Sequence, residues 1–180
     1  MWLSVFPVRS TGRPDRPGGL YGVAFVDYEE GSVLTYRELL VARLVGEGRS
    51  RQVRITDIWV DSEESMAGGR SLWAIPKQLA ELSLDDRRGL VSRTHCGGTG
   101  IATATFTGST AAAVVRTPFV SSTSQLRADG TEVRARLHGS AKSLPCLGSW
   151  RFDKDGPLGW LHGKPPVLSF RMTDLRLTFG

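Results

Sequence analysis

One lysine stands where few proteins place one. In the segment from Gly68 to Ala80, Leu72, Trp73, Ile75 and Leu79 surround Lys77. Lysine is otherwise scarce: Lys142, Lys154 and Lys164 complete the set, and arginine carries the rest of the positive charge. Apolar surroundings weaken an amine's preference for its charged form, and a neutral amine attacks ketones. The resulting iminium withdraws electrons from the neighbouring carbon. A carboxylate on that carbon leaves as CO2; a proton there is lost to give an enamine, which opens aldol, dehydration and cyclisation steps. A free lysine, with a pKa of about 10.4, is almost wholly protonated at neutral pH, and lowering it to about 7 takes roughly 4–5 kcal/mol. Pro76 suits the first position of a helix, so Lys77 to Leu82 reads as a short helix whose positive end lies beside the amine. That dipole contributes only about 0.3–1 kcal/mol. Burial against Leu72, Trp73 and Ile75 must supply the rest, so the chemistry demands a dry pocket. The plainer alternative is a stem lying on apolar surface with its ammonium in water.

The elements that must position this lysine read mostly as strands. Twenty-one glycines and nine prolines in 180 residues favour turns, hence strands over helices. Met1 to Val8 is apolar but short, with no basic residues before it, and reads as a first strand rather than a secretion signal. Thr11 to Gly19 is a Pro/Gly loop. Leu20 to Tyr28 and Gln52 to Val60 alternate as strands. Val33 to Val45 fits a strand or strand pair, and by period also a helix. Asp61 to Ser65 supplies caps and early acids for a short helix through Ala67, which Gly68-Gly69 stops. Gly100 to Thr107, Ala111 to Val120, Glu132 to Leu137 and Leu168 to Phe179 read as further strands. The sum is one mainly β domain (α+β) over 1–180: a closed or partly closed antiparallel β-barrel with a few short helices.

The segment Gly69-Arg70-Ser71-Leu72-Trp73-Ala74-Ile75-Pro76-Lys77-Gln78-Leu79 resembles the hallmark of the acetoacetate decarboxylase family, Gly-Arg-Glu-Leu followed after two or three residues by Pro-Lys-Lys-Leu. Tyr36-Arg37-Glu38 looks like the family's Tyr-Xaa-Glu. Gly100-Ile101-Ala102-Thr103-Ala104-Thr105 is similar to its Val-Ala-Thr-Ala-Thr strand. The likeness runs from about Tyr21 to Phe106. It implies a Schiff base on Lys77, Glu38 as an acid/base or orienting group, and Tyr36, Arg70, Trp73 and Phe106 as substrate-binding candidates. Residue by residue there are departures. Gln78 stands at the second lysine, Ser71 at the glutamate of the Gly-Arg-Glu run, and a second carboxylate of the family's site falls near Val23 or Ala24. The family's N-terminal arginine has no fixed counterpart, though Arg13 or Arg16 in the loop could substitute.

Other chemistries fit less well. Arginine in a turn such as that of Arg70 more often holds backbone carbonyls, and Glu38 could simply pair with Arg37 or Arg43. His95, Cys96, His138, Cys146 and His162 match no zinc spacing, so no metal is expected. Gly97 to Gly100 leads into a strand rather than a helix and does not make a phosphate loop. No nucleophile elbow is present. The net charge of +5 comes from arginines interleaved with acids, as in Asp85-Asp86-Arg87-Arg88, which gives a solvated surface rather than a nucleic-acid footprint. No apolar run is long enough for a bilayer. Two distant cysteines read as reduced thiols of a cytoplasmic protein. The reading is a lyase that forms an imine with a β-keto acid or related carbonyl compound. It needs no cofactor, since the iminium is itself the electron sink, and a homo-oligomer is possible by family resemblance. The rival is a small-molecule-binding barrel that has lost the imine chemistry.

Overall fold

A computed structural model describes residues 1–46, 52–87, 91–96, 100–108 and 115–180. Its strands are β1 (Trp2–Val8), β2 (Gly19–Tyr28), β3 (Tyr36–Val45), β4 (Gln52–Val60), β5 (Lys77–Leu79), β6 (Leu82–Arg87), β7 (Val91–Cys96), β8 (Ala102–Gly108), β9 (Arg116–Leu126), β10 (Glu132–Phe152) and β11 (Leu168–Phe179). One α-helix, α1 (Glu63–Trp73), and a 3-10 turn at Gly159–Leu161 complete the described elements.

The strands join in the order β11-β1-β2-β3-β4-β9-β10-β8-β7-β6, with β5 added on β4. β10 also pairs with β11, which closes β1 to β4 and β9 to β11 into a ring. The ring is not a regular barrel: β4 meets β9 in a single parallel bridge, Val53 with Thr123, and β5 runs parallel to β4. The 21-residue β10 does two jobs. Its first half pairs with β9 and β11; its second half pairs with β8 and carries the β6–β8 sheet. Gly148 permits this crossing, because a Cβ there would lie 2.5 Å from Ser169 Oγ and 2.8 Å from Ser4 Oγ.

Period-two alternation sorts side chains into two cores on opposite faces of β3 and β4. Leu39, Val41 and Trp59 join Trp2, Phe6, Tyr21, Phe25 and Phe106 in the larger one. Ile58 and Val60 join Ile55 and Ile75, with Tyr36, Leu40, Met66, Trp73 and Phe179 packed around them, in the smaller one. The smaller core is where α1 lies.

Four expectations change. Val33 to Val45 is a strand only from Tyr36, and not a helix, because its alternation buries Leu39 and Val41 on one face and Glu38 on the other. Lys77 to Leu82 is not a helix. A three-residue turn around Pro76, closed by the Lys77 N–H donating to the Ile75 carbonyl at 2.8 Å, sends the chain out as β5. The preceding helix does not stop at Gly68-Gly69 but continues to Trp73. β10 extends fifteen residues beyond Leu137, to Phe152. The strand expected over Ala111 to Val120 is present from Arg116 onward; residues 97–99 and 111–114 lie outside the described residues. Cys146 is a free thiol, and no described helix is long and apolar enough to cross a membrane.

Candidate active site

Three elements bring the site together. β3 supplies Tyr36 and Glu38, two apart and therefore on one face. β5 supplies Lys77, held in register with Ile58 of β4. The helix α1 covers them. Ser62 caps it by accepting from the Ser65 N–H at 3.1 Å, and Glu63 and Glu64 occupy its first turn. Its buried positions are Ser65 and Gly69, one turn apart on the same face. Ala74 ends the helix in the left-handed region, with φ 53°, and its N–H donates to the Gly69 carbonyl.

Lys77 is 7 % exposed and Glu38 4 %. The lysine Nζ donates to Ser65 Oγ at 2.8 Å, to Glu38 Oε2 at 3.1 Å and to the Tyr36 hydroxyl at 3.3 Å. Three acceptors match the three protons of an ammonium. The Tyr36 hydroxyl in turn donates to Glu38 Oε2 at 3.4 Å, and the amine lies 5.0 Å from the Tyr36 ring centroid. Tyr36 stacks on Tyr28 at 4.4 Å between ring centroids. Cross-strand partners of Glu38 are Val26 on β2 and Val60 on β4, both buried. That apolar flank raises the Glu38 pKa above the ordinary glutamate value; Lys77 and Tyr36 pull the other way and offset part of the effect. Burial likewise raises the Tyr36 phenol, and raises Tyr28 well above its usual value.

The amine therefore sits in a buried but polar nest, not in the wholly apolar pocket its sequence neighbours imply. Leu72 is 61 % and Leu79 46 % exposed. Ile75 is buried in the smaller core, with Trp73 beside it against Phe179 at 4.9 Å. The side chain follows strand geometry: Lys77 turns inward and Gln78, its successor, faces solvent. The residue at 78 thus projects away from the amine. The helix dipole still acts here, but from the first turn of α1 through Ser65 rather than from a helix after Pro76.

The remaining candidates fall into place around this nest or outside it. Arg70 Nε donates to the Lys77 backbone carbonyl at 2.7 Å. Phe106 is in the larger core, in contact with Trp2 and Trp150. Arg16 is bound to Asp57 Oδ1 at 2.6 Å and Arg13 to the exposed Asp15. Val23 and Ala24 are fully buried apolar residues. A groove of about 490 Å³ lies over β8 and β10, lined by Thr103, Thr105, Ser149, Trp150, Arg151 and His162; none of the groups bonded to the Lys77 amine lines it. Ser65 is the partner that sequence reading missed. Its signal was there: a serine four residues before Gly69, on the helix face that must meet the lysine.

A ring of strands with a buried lysine–carboxylate pair under one helix defines the class of fold. The family model for acetoacetate decarboxylase (ADC) matches residues 14–136, and the chain belongs to that family. Solved structures agree on the fold. The acetoacetate decarboxylase of Legionella pneumophila subsp. pneumophila str. Philadelphia 1 is 19% identical with a TM-score of 0.71, over 99% of this chain and 82% of that one. The enduracididine biosynthesis enzyme MppR complexed with pyruvate is 15% identical with a TM-score of 0.61, over 98% and 86%. An acetoacetate decarboxylase-like enzyme from Sphingomonas wittichii RW1 is 14% identical with a TM-score of 0.55, over 98% and 89%. No curated protein sequence matches.

Proposed function

We propose that Lys77 forms a Schiff base with a small carbonyl compound, a β-keto acid or a related ketone or aldehyde, and that Glu38 moves the protons of that chemistry. The observation that carries this reading is the 3.1 Å contact between two nearly inaccessible groups, Lys77 Nζ and Glu38 Oε2. A buried charge pair is costly to keep and seldom the most stable filling of its space. Here it involves the two residues that, by motif resemblance, correspond to the family's lysine and glutamate.

The steps follow from the geometry. Glu38, whose carboxylate is held in an apolar flank and so accepts a proton readily, takes one from the Lys77 ammonium. The freed amine adds to the carbonyl carbon and gives a carbinolamine. Glu38 returns its proton to the carbinolamine hydroxyl, which leaves as water, and the iminium remains. A β-carboxylate then loses CO2, or a neighbouring C–H loses its proton to the same carboxylate. Tyr36 holds Glu38 and Lys77 in register from one side.

The experiment is turnover of acetoacetate and of pyruvate-plus-aldehyde mixtures by the wild-type chain and by Lys77→Met. CO2 release or condensation by the wild type, abolished in Lys77→Met, supports the reading. Equal turnover in the two proteins overturns the reading; ligand binding without any turnover favours the non-catalytic barrel, for which the β8–β10 groove provides a cavity away from the lysine.

A further inference from the structure

We propose that Ser65 is a catalytic residue: its hydroxyl relays the proton between the Lys77 nitrogen and the carbonyl oxygen as the carbinolamine forms. The inference rests on the Schiff-base reading above.

Three observations lead to it. Ser65 Oγ makes the shortest contact to the amine, 2.8 Å, shorter than that of Glu38 or Tyr36. The residue is 5 % exposed, and its side chain is not needed to finish the helix, because Ser62 provides the cap. The position also runs against packing logic. A helix laid over a sheet normally buries an apolar stripe. The buried positions of α1 are instead Ser65 and Gly69, a hydroxyl and a hydrogen, both facing Lys77. An apolar side chain at 65 would stabilise the helix–sheet contact and would leave the amine one acceptor short.

The chemistry balances without a co-reactant. As the neutral Lys77 nitrogen bonds to the carbonyl carbon, the C=O π electrons move to oxygen and the nitrogen becomes acidic. Ser65 Oγ accepts one N–H proton while its own hydroxyl proton passes to that oxygen. The product is a neutral carbinolamine and an unchanged serine. The hydroxyl sits in the first turn of α1, where the partial positive charge of the helix end favours the negative charge developing on oxygen. Glu38 alone would have to serve both as the acceptor of the first proton and as the donor to the oxygen. With Ser65 in place the two transfers are divided.

The test compares wild type, Ser65→Ala and Ser65→Thr in two reactions read at the Lys77 peptide by mass spectrometry. One is the rate of adduct formation with acetoacetate or pyruvate trapped by borohydride. The other is carbamylation by cyanate, which needs the same free amine but no carbinolamine. A relay predicts that Ser65→Ala slows the trapped adduct by about 10²-fold or more, changes carbamylation far less, and is largely rescued by Ser65→Thr. Unchanged adduct formation in Ser65→Ala overturns the inference. Equal slowing of both reactions overturns it too, since Ser65 would then only hold the amine in place. No adduct with the wild type sinks the Schiff-base reading first, and this inference falls with it.

Discussion

Gly69 of the helix rests against the stem of Lys77: a Cβ at that position would stand 2.8 Å from Lys77 Cδ and 2.9 Å from Cε. The glycine is therefore fixed by a close approach of backbone to side chain, not by an unusual turn. The Gly-Arg pair and the lysine therefore form one local unit. Gly69 makes room for the stem, its carbonyl accepts from Ile75 N–H at 3.1 Å, and Arg70 holds the Lys77 carbonyl.

Gly69→Ala should accordingly displace the amine from Glu38 and Ser65. The extra methyl favours the helix by about 0.5–1 kcal/mol through propensity, so a thermally folded protein with no borohydride-trapped adduct is the expected outcome. Retention of the wild-type adduct rate would show that the stem has another route to the nest.

Lys77 and Glu38 should prove strongly non-additive. Lys77→Met alone strands a buried carboxylate and is expected to cost about 3–5 kcal/mol of unfolding free energy, whereas Lys77→Met/Glu38→Leu should recover most of that loss. Denaturant titrations of the two single variants and the double variant measure the coupling. Additive effects would mean that the pair is solvated.

All three tyrosines of the chain, Tyr21, Tyr28 and Tyr36, have pKa values raised chiefly by burial. Tyr21 is completely buried and donates its hydroxyl to the Pro17 carbonyl at 2.6 Å. The folded state thus keeps phenol protons that the unfolded chain gives up near 10, so stability falls as pH rises through and above that value. Ultraviolet titration should show no tyrosinate in the native protein at the ordinary pKa, with ionisation appearing together with alkaline unfolding. A reversible phenol titration near 10 in folded protein would contradict the burial described.

Ala74 adopts φ 53° at the end of α1, a conformation that costs a residue with a Cβ roughly 1–2 kcal/mol. Ala74→Gly should stabilise the fold by about 0.5–1 kcal/mol after the greater entropy of glycine in the unfolded chain is deducted. Thermal melting is the check, and an unchanged or lowered midpoint would count against strain at this site.

Much of this site was legible in the sequence, and what was hidden has physical reasons. Lys77 stands out by its apolar neighbours, and Tyr36 and Glu38 by the resemblance of Tyr36-Arg37-Glu38 to the family's Tyr-Xaa-Glu; the structure brings the three within 3.4 Å of one another. The local geometry of Lys77 was misread because Pro76 is equally at home at the start of a helix and in a tight turn, and the pairing with β4 that decides between them is a long-range contact. Gly68-Gly69 looked like a stop because glycine is a poor helix former; the close packing against Lys77 overrides that propensity. Arg70 was read with two roles, and its geometry is a hydrogen bond to the Lys77 backbone. Phe106 sits in the other core because alternation in β8 sends it to the opposite side of the sheet system. The length of β10 is obscured by Gly139, Pro145 and Gly148, which weaken a strand pattern locally; Gly148 serves a crossing that only the folded chain reveals.

The central claim is that the nitrogen of Lys77 becomes covalently bound to the carbon of a carbonyl compound. Incubation with acetoacetate or pyruvate, reduction with borohydride and peptide mass spectrometry test it directly. The account predicts a reduced adduct confined to Lys77, with Lys142, Lys154 and Lys164 unmodified under the same conditions. An unmodified Lys77, or labelling spread evenly over the four lysines, would contradict it.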